Sequence, residues 1–144
     1  MTALGTTTSE ASTERLRTMA DGLVVFLETG SPPDELFAPD VFLDFTMPTW
    51  RLQAEGVADV VASRRAGHPS PGRVPRQRFD PTASGFVLEV EETWASGGEQ
   101  WYSRELIRAD VSEQGITGLS VYCTGDWDTA RVAEHAAAVS LIRP

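Results

Sequence analysis

Apolar and polar residues alternate along two long stretches, Gly85–Trp94 and Trp101–Val111, separated by the glycine-bearing segment Ala95–Gln100. In the first stretch Phe86, Leu88, Val90, Glu92 and Trp94 share one face, and Val87, Glu89, Glu91 and Thr93 share the other. In the second, Trp101, Ser103, Glu105, Ile107 and Ala109 alternate with Tyr102, Arg104, Leu106, Arg108 and Asp110. A period of two over this length predicts antiparallel strands with one buried face. Placing Trp94 opposite Trp101 sets Leu88 against Ile107 and Phe86 against Ala109, with Glu91 against Arg104 and Thr93 against Tyr102 on the polar side. A slip of one residue would lose both sets of matched pairs. In this register Glu92 and Glu105 sit as diagonal neighbours on the otherwise apolar face. A carboxyl in an apolar wall must be paired, hydrogen-bonded or protonated.

The remaining pattern supplies the flanking elements. Leu16, Met19, Leu23 and Leu27 recur at helical spacing from about Ser9 or Ser12 to Glu28, with Gly30 as a left-handed stop. Ser31-Pro-Pro-Asp34 reads as the start of a short second helix ending near Ala38. Val41–Met47 reads as a strand, with Phe42, Asp44 and Thr46 on one face and Val41, Leu43, Phe45 and Met47 on the other. Pro48–Glu55 reads as a turn containing Trp50, and Gly56–Arg65 as a helix with Val57, Val60, Val61 and Arg64 on one face. Gly67–Gly72 is a loop by composition, which makes His68 an exposed loop histidine. Arg76–Asp80 is a short strand. Ile116–Thr124 is the last strand, with Val121 opposite Ile107 and Cys123 beside Glu105. Asp126 or Asp128 caps a final helix to about Val139.

Composition narrows the chemistry. The 144 residues suit one domain, read as residues 11–144 behind a frayed tail over residues 1–10. A net charge of −9, without an arginine run longer than two, argues against nucleic acid or an anionic membrane as partner. No apolar run approaches the roughly 18–20 residues that span a bilayer, and the polar, threonine-rich start lacks a signal-peptide pattern. The expected location is the cytoplasm. The chain has no lysine, which excludes Schiff-base chemistry and a phosphate-gripping lysine, and no asparagine. A single cysteine excludes an internal disulfide, and neither His68 nor His135 has metal-ligand spacing. No metal or other cofactor is expected.

Three stretches carry a resemblance. Glu35–Pro48, reading ELFAPDVFLDFTMP, resembles the entry to the first strand of nuclear transport factor 2-like proteins. Gly56-Val-Ala-Asp-Val60 resembles the start of their third helix, and Gly115–Asp128 the last strand of the small bacterial branch related to polyketide cyclases. The resemblance covers residues 16–128. It implies an α+β cone: a curved antiparallel sheet packed on three to four helices around an apolar pocket, often in a homodimer. Members include ketosteroid isomerase, scytalone dehydratase, limonene epoxide hydrolase, polyketide cyclases and plain ligand binders, so the fold alone does not choose a reaction. Asp44 lies near the position of the general-base aspartate of ketosteroid isomerase. The tyrosine of that enzyme's first helix has no counterpart in Leu16–Leu27, and the asparagine of the epoxide hydrolases is missing.

The candidate catalytic residues are therefore Asp44, Glu92 and Glu105. Asp44 also reads as an acid on a solvated face. The two glutamates also read as structural acids bonded to core tyrosines, tryptophan N–H groups or Arg64. Trp50, Val90, Trp94, Trp101, Val121 and Cys123 are the candidate substrate-binding residues, with Cys123 a small wall residue whose thiol a neighbouring acid keeps protonated. Tyr102 and Tyr122 fall on the outer face. The expected activity is a cofactor-independent cyclase or isomerase acting on an apolar, polyketide-type small molecule. The alternatives are a non-catalytic binder using the same pocket and a dimeric module with a filled core.

Overall fold

A computed structural model describes residues 2–143, with side chains from residue 12 onward. The expected tail over residues 1–10 lies outside the fully described residues. The element order is α1 (Thr2–Thr29), β1 (Phe37–Met47), β2 (Trp50–Glu55), α2 (Val57–Gly67), β3 (Gly72–Pro81), β4 (Gly85–Ser96), β5 (Glu99–Ser112), β6 (Gly115–Cys123) and α3 (Thr129–Ala138). The strands form one curved, unclosed sheet in the order β2-β1-β6-β5-β4-β3. All neighbours are antiparallel except β1 and β6, which run parallel and make the sheet mixed.

The central hairpin has the register that side-chain matching dictates. Trp94 faces Trp101, Leu88 faces Ile107 and Glu91 faces Arg104. Gly97 and Gly98 alone make the turn, both at positive φ, which matches a two-residue hairpin loop to the twist of its strands. On the other side of β5, Val121 faces Ile107 and Cys123 faces Glu105. The sheet bends where its ladders are interrupted. The irregularities fall between Phe37 and Phe42 in β1, between Arg73 and Arg76 in β3, and between Asp110 and Val111 in β5. The first two segments contain Pro39 and Pro75, which have no N–H to give a ladder.

Three expectations fail locally. The short helix at Ser31–Ala38 does not form. Its segment is an irregular stretch and a turn with Glu35 at φ 66°, and Phe37 already belongs to β1. Two consecutive prolines hold Pro32 extended, which opposes a first helical turn. The main chain is instead claimed by the sheet, since the Ile116 N–H donates to the Leu36 carbonyl at 2.8 Å. The expected turn over Pro48–Glu55 contains an edge strand, β2, with only Leu52 and Ala54 half-buried to mark its inner face. The strand expected at Arg76–Asp80 extends over the whole of β3.

One face of the sheet is covered. Met19, Leu23, Phe26 and Leu27 of α1 pack with Phe86 and Leu88 of β4, Ile107 and Ala109 of β5, and Val60 of α2. Phe86, Leu88 and Ala109 lie at the filled end of this core, and Ile107 is shared with the open end. Among the described residues no helix is long and apolar enough to cross a membrane.

Candidate active site

At the open end the covered face leaves a cavity of about 450 Å³, above the roughly 300 Å³ at which ligand sites begin. The interior is therefore not plugged by side chains. Leu23 and Leu27 of α1, Phe45 and Met47 of β1, and Leu119 and Val121 of β6 are among its apolar wall residues. Its polar groups are few: Ser63 and Arg64 of α2, His68, Glu105, Cys123 and, at the mouth, Asp126. Trp50 stands at the rim, 68% exposed.

Glu105 is 3% exposed, and its Oε1 has no hydrogen-bond partner. Burial, followed by the nearby charge of Glu92, pushes its carboxyl well above the ordinary range, so it holds its proton. Glu92 is equally buried but paired. Both terminal nitrogens of Arg64 donate to its two oxygens, Nη1 to Oε2 at 3.2 Å and Nη2 to Oε1. Nη2 also donates to the Leu27 carbonyl at 2.6 Å, which anchors the guanidinium to the end of α1. The Arg64 side chain is 10% exposed, and its Nε–H lacks a partner. The structural reading of Glu92 as a partner of Arg64 is thus the observed one.

His68 is the residue that composition misassigns. It follows the last residue of α2, and its N–H donates to the Arg64 carbonyl at 2.8 Å, which turns the ring inward. The ring rests on Trp94 with centroids 4.3 Å apart. One potential ligand atom each from His68, Glu92 and Glu105 lies within 4.8 Å of the others. Burial, then the Arg64 charge, lowers the imidazole to about 4, so it is neutral at ordinary pH. A signal was present in the sequence: Val60, Arg64 and His68 repeat every four residues and continue the inner face of α2 by one turn. Asp126 carried no such signal. It stands exposed at the mouth, where partial burial and then Glu92 raise its carboxyl.

Cys123 is a wall residue, its thiol pushed up to about 12 by burial and Glu105. His68, Glu92 and Glu105 are close enough to be tested as a metal site. They fit a divalent ion poorly, because Arg64 already spans both oxygens of Glu92 and would place a fixed positive charge beside the metal.

Several expected site residues lie elsewhere. Asp44 is on the opposite face of β1 from the cavity-lining Leu43, Phe45 and Met47. Arg51 of the neighbouring strand grips it with bonds of 2.8 and 2.6 Å, and that pairing lowers its carboxyl. Strand alternation thus removes it from the cavity, leaving the solvated-face reading. Val90 is packed in the core and does not line the cavity. Trp94 is separated from the cavity by His68, and Trp101 stacks on Trp94 while its indole N–H donates to the Ser96 carbonyl. Trp50, Val121, Cys123 and Glu105 do line it.

A curved sheet wrapped on helices has counterparts of the same fold among solved structures. An NTF2-like protein from Anabaena variabilis superposes with a TM-score of 0.65 at 14% identity, covering 80% of this chain and 90% of that one. The chain has the nuclear transport factor 2-like fold. A protein provisionally described as a polyketide cyclase, from Xanthomonas campestris, shares this fold with a TM-score of 0.58 at 14% identity, covering 76% and 90% of the two chains. A de novo designed protein with a curved β-sheet shares it as well, at a TM-score of 0.52 and 21% identity over 76% and 84%. No family model matches the sequence, and no curated protein matches it. Within this fold Glu92 comes from β4, Glu105 from β5, Arg64 from the last turn of α2 and His68 from the residue that follows it.

Proposed function

We propose that this protein is a cyclase or isomerase that enolises an apolar carbonyl compound, using side chains alone to move protons. One observation carries the reading: Glu105, whose Oε1 has no hydrogen-bond partner, lines an apolar cavity beside a neutral imidazole. A protonated carboxyl in such a wall is a hydrogen-bond donor for a carbonyl oxygen, and it stabilises the charge that develops there. The oxygen and the α-carbon of a carbonyl compound are only two bonds apart. Groups within 4.8 Å of each other can therefore address both, with Glu105 on the oxygen and His68 taking the α-proton. The apolar walls exclude water and hold the chain folded, which favours ring closure or return of the proton to a new carbon. The fold shared with a provisionally described polyketide cyclase supports the same class of chemistry.

The test needs no knowledge of the natural substrate. Apolar ketones that bind the cavity are incubated with protein in D2O, and exchange of the α-protons is followed by NMR. The expected result is exchange faster than in free solution, reduced by about 10²–10⁴-fold in Glu105→Gln or His68→Phe. Bound ketones whose α-protons exchange no faster than in free solution would overturn the proposal and leave a binding protein.

A further inference from the structure

Arg64 is the fixed positive charge at the cavity wall, and the chain supplies its counter-ion. A guanidinium in an apolar pocket is a natural fork for a ligand carboxylate, because its two parallel N–H bonds match the two oxygens. Glu92 of β4 fills that fork from within the protein. The Leu27 carbonyl takes a further bond from Nη2, which leaves the Nε–H and the second N–H of Nη1 without a bond among the described residues. A ligand carboxylate entering the cavity would find the paired N–H groups of the guanidinium taken by Glu92, the Nε–H buried, and the acids Glu105 and Asp126 in the lining. Its lost hydration would have no countercharge to replace it. An uncharged oxygen has no such cost and can accept from the protonated Glu105 in the wall.

We propose that Glu92 determines ligand charge: by holding Arg64 it makes the cavity accept uncharged ligands bearing a carbonyl or hydroxyl oxygen and refuse carboxylates. This rests on the cavity being a ligand site and not on any turnover there. Glu92 acts through Arg64 and is a specificity-determining residue, not a catalytic one.

Two probes of matched length, methyl decyl ketone and dodecanoate, test it by calorimetry on the whole protein at neutral pH. The ketone binds wild type more tightly than dodecanoate, by on the order of 100-fold. In Glu92→Gln the order reverses. The freed Arg64 pairs with dodecanoate, whose affinity rises by about 100-fold, and dodecanoate raises the Tm of this variant but not of wild type. In the double variant Arg64→Met/Glu92→Leu the ketone still binds and dodecanoate gains nothing. Dodecanoate binding wild type as tightly as the ketone would overturn the inference, and so would a Glu92→Gln protein that gains no affinity for it. Should Glu92→Gln fail to fold, the wild-type comparison and the double variant decide. Binding of neither probe to wild type would overturn the ligand-site reading itself, and this inference with it.

Discussion

Glu105 keeps a proton that an ordinary glutamate releases near 4.5, chiefly because it is buried. The unfolded chain gives up that proton as pH rises above 4.5, while the folded chain retains it. Folding is therefore opposed increasingly as pH climbs toward the raised folded value. Glu105→Gln keeps the shape and needs no proton, so its Tm relative to wild type should rise as pH climbs above 4.5 toward the raised folded value. A thermal melt series across pH checks this, and a constant margin would contradict it. His68 has the opposite sign. Its imidazole falls from 6.5 to about 4, so the unfolded chain binds more protons in that window, and stability drains as pH falls through it. The loss amounts to at most about 3 kcal/mol, and His68→Phe should flatten the stability profile between those two values. The two residues also differ in how plainly the sequence marked them. Glu105 breaks an alternating apolar face and is conspicuous. His68 lies in a Gly-Pro-rich stretch whose loop composition outweighs the four-residue spacing to Arg64, and only the hydrogen bond back to that residue turns the ring inward.

At the scale of elements, what was legible depended on how long a pattern persisted. The β4–β5 hairpin runs through twelve paired positions, enough for one register to satisfy the apolar and the charged faces together. β2 alternates as well, Trp50, Leu52 and Ala54 against Arg51, Gln53 and Glu55, but only over six residues, none of them buried, directly after the turn-forming Pro48. The segment after α1 shows local capping chemistry overridden by a distant partner, because the parallel pairing of β1 with β6 lies beyond the reach of any short window. The hairpin also fixes a steric limit. Gly85 opens β4 directly opposite Asp110, and a Cβ placed on it would lie 2.0 Å from the Ala109 carbonyl oxygen. Gly85→Ala should force the two strands apart and cost about 1–3 kcal/mol, read as a lower urea midpoint. A midpoint at the wild-type value would show that the ladder yields there without penalty.

For the whole molecule, the cavity means that part of the core is deliberately left unfilled, and missing contacts in a core reduce stability. Val121 points into that space from the middle of the sheet, flanked by Ile107 and Phe45 on the neighbouring strands. Val121→Phe should occupy the hollow, abolish ketone binding and leave Tm equal or a few degrees higher. Binding that survives the substitution would place the ligand elsewhere. The cone itself was readable because three spaced stretches agreed with the strand and helix order. The cavity's chemistry was only half readable, since the end of α2 carrying Arg64 and His68 meets Glu92 of β4 across a sequence separation that no local pattern spans. The last helix, α3, buries none of its residues. It is tied on by its Asp128 cap, the two main-chain bonds between Tyr102 and Trp127, and the bonds between Thr129 and Gln100. Its backbone amides should therefore trade hydrogen for deuterium within seconds to minutes, while those of β4 and β5 wait for the entire chain to open. The protein would then carry a rigid hull of sheet and a loosely moored stern, and clipping the chain after Asp128 should leave the slow-exchanging amides as slow as before.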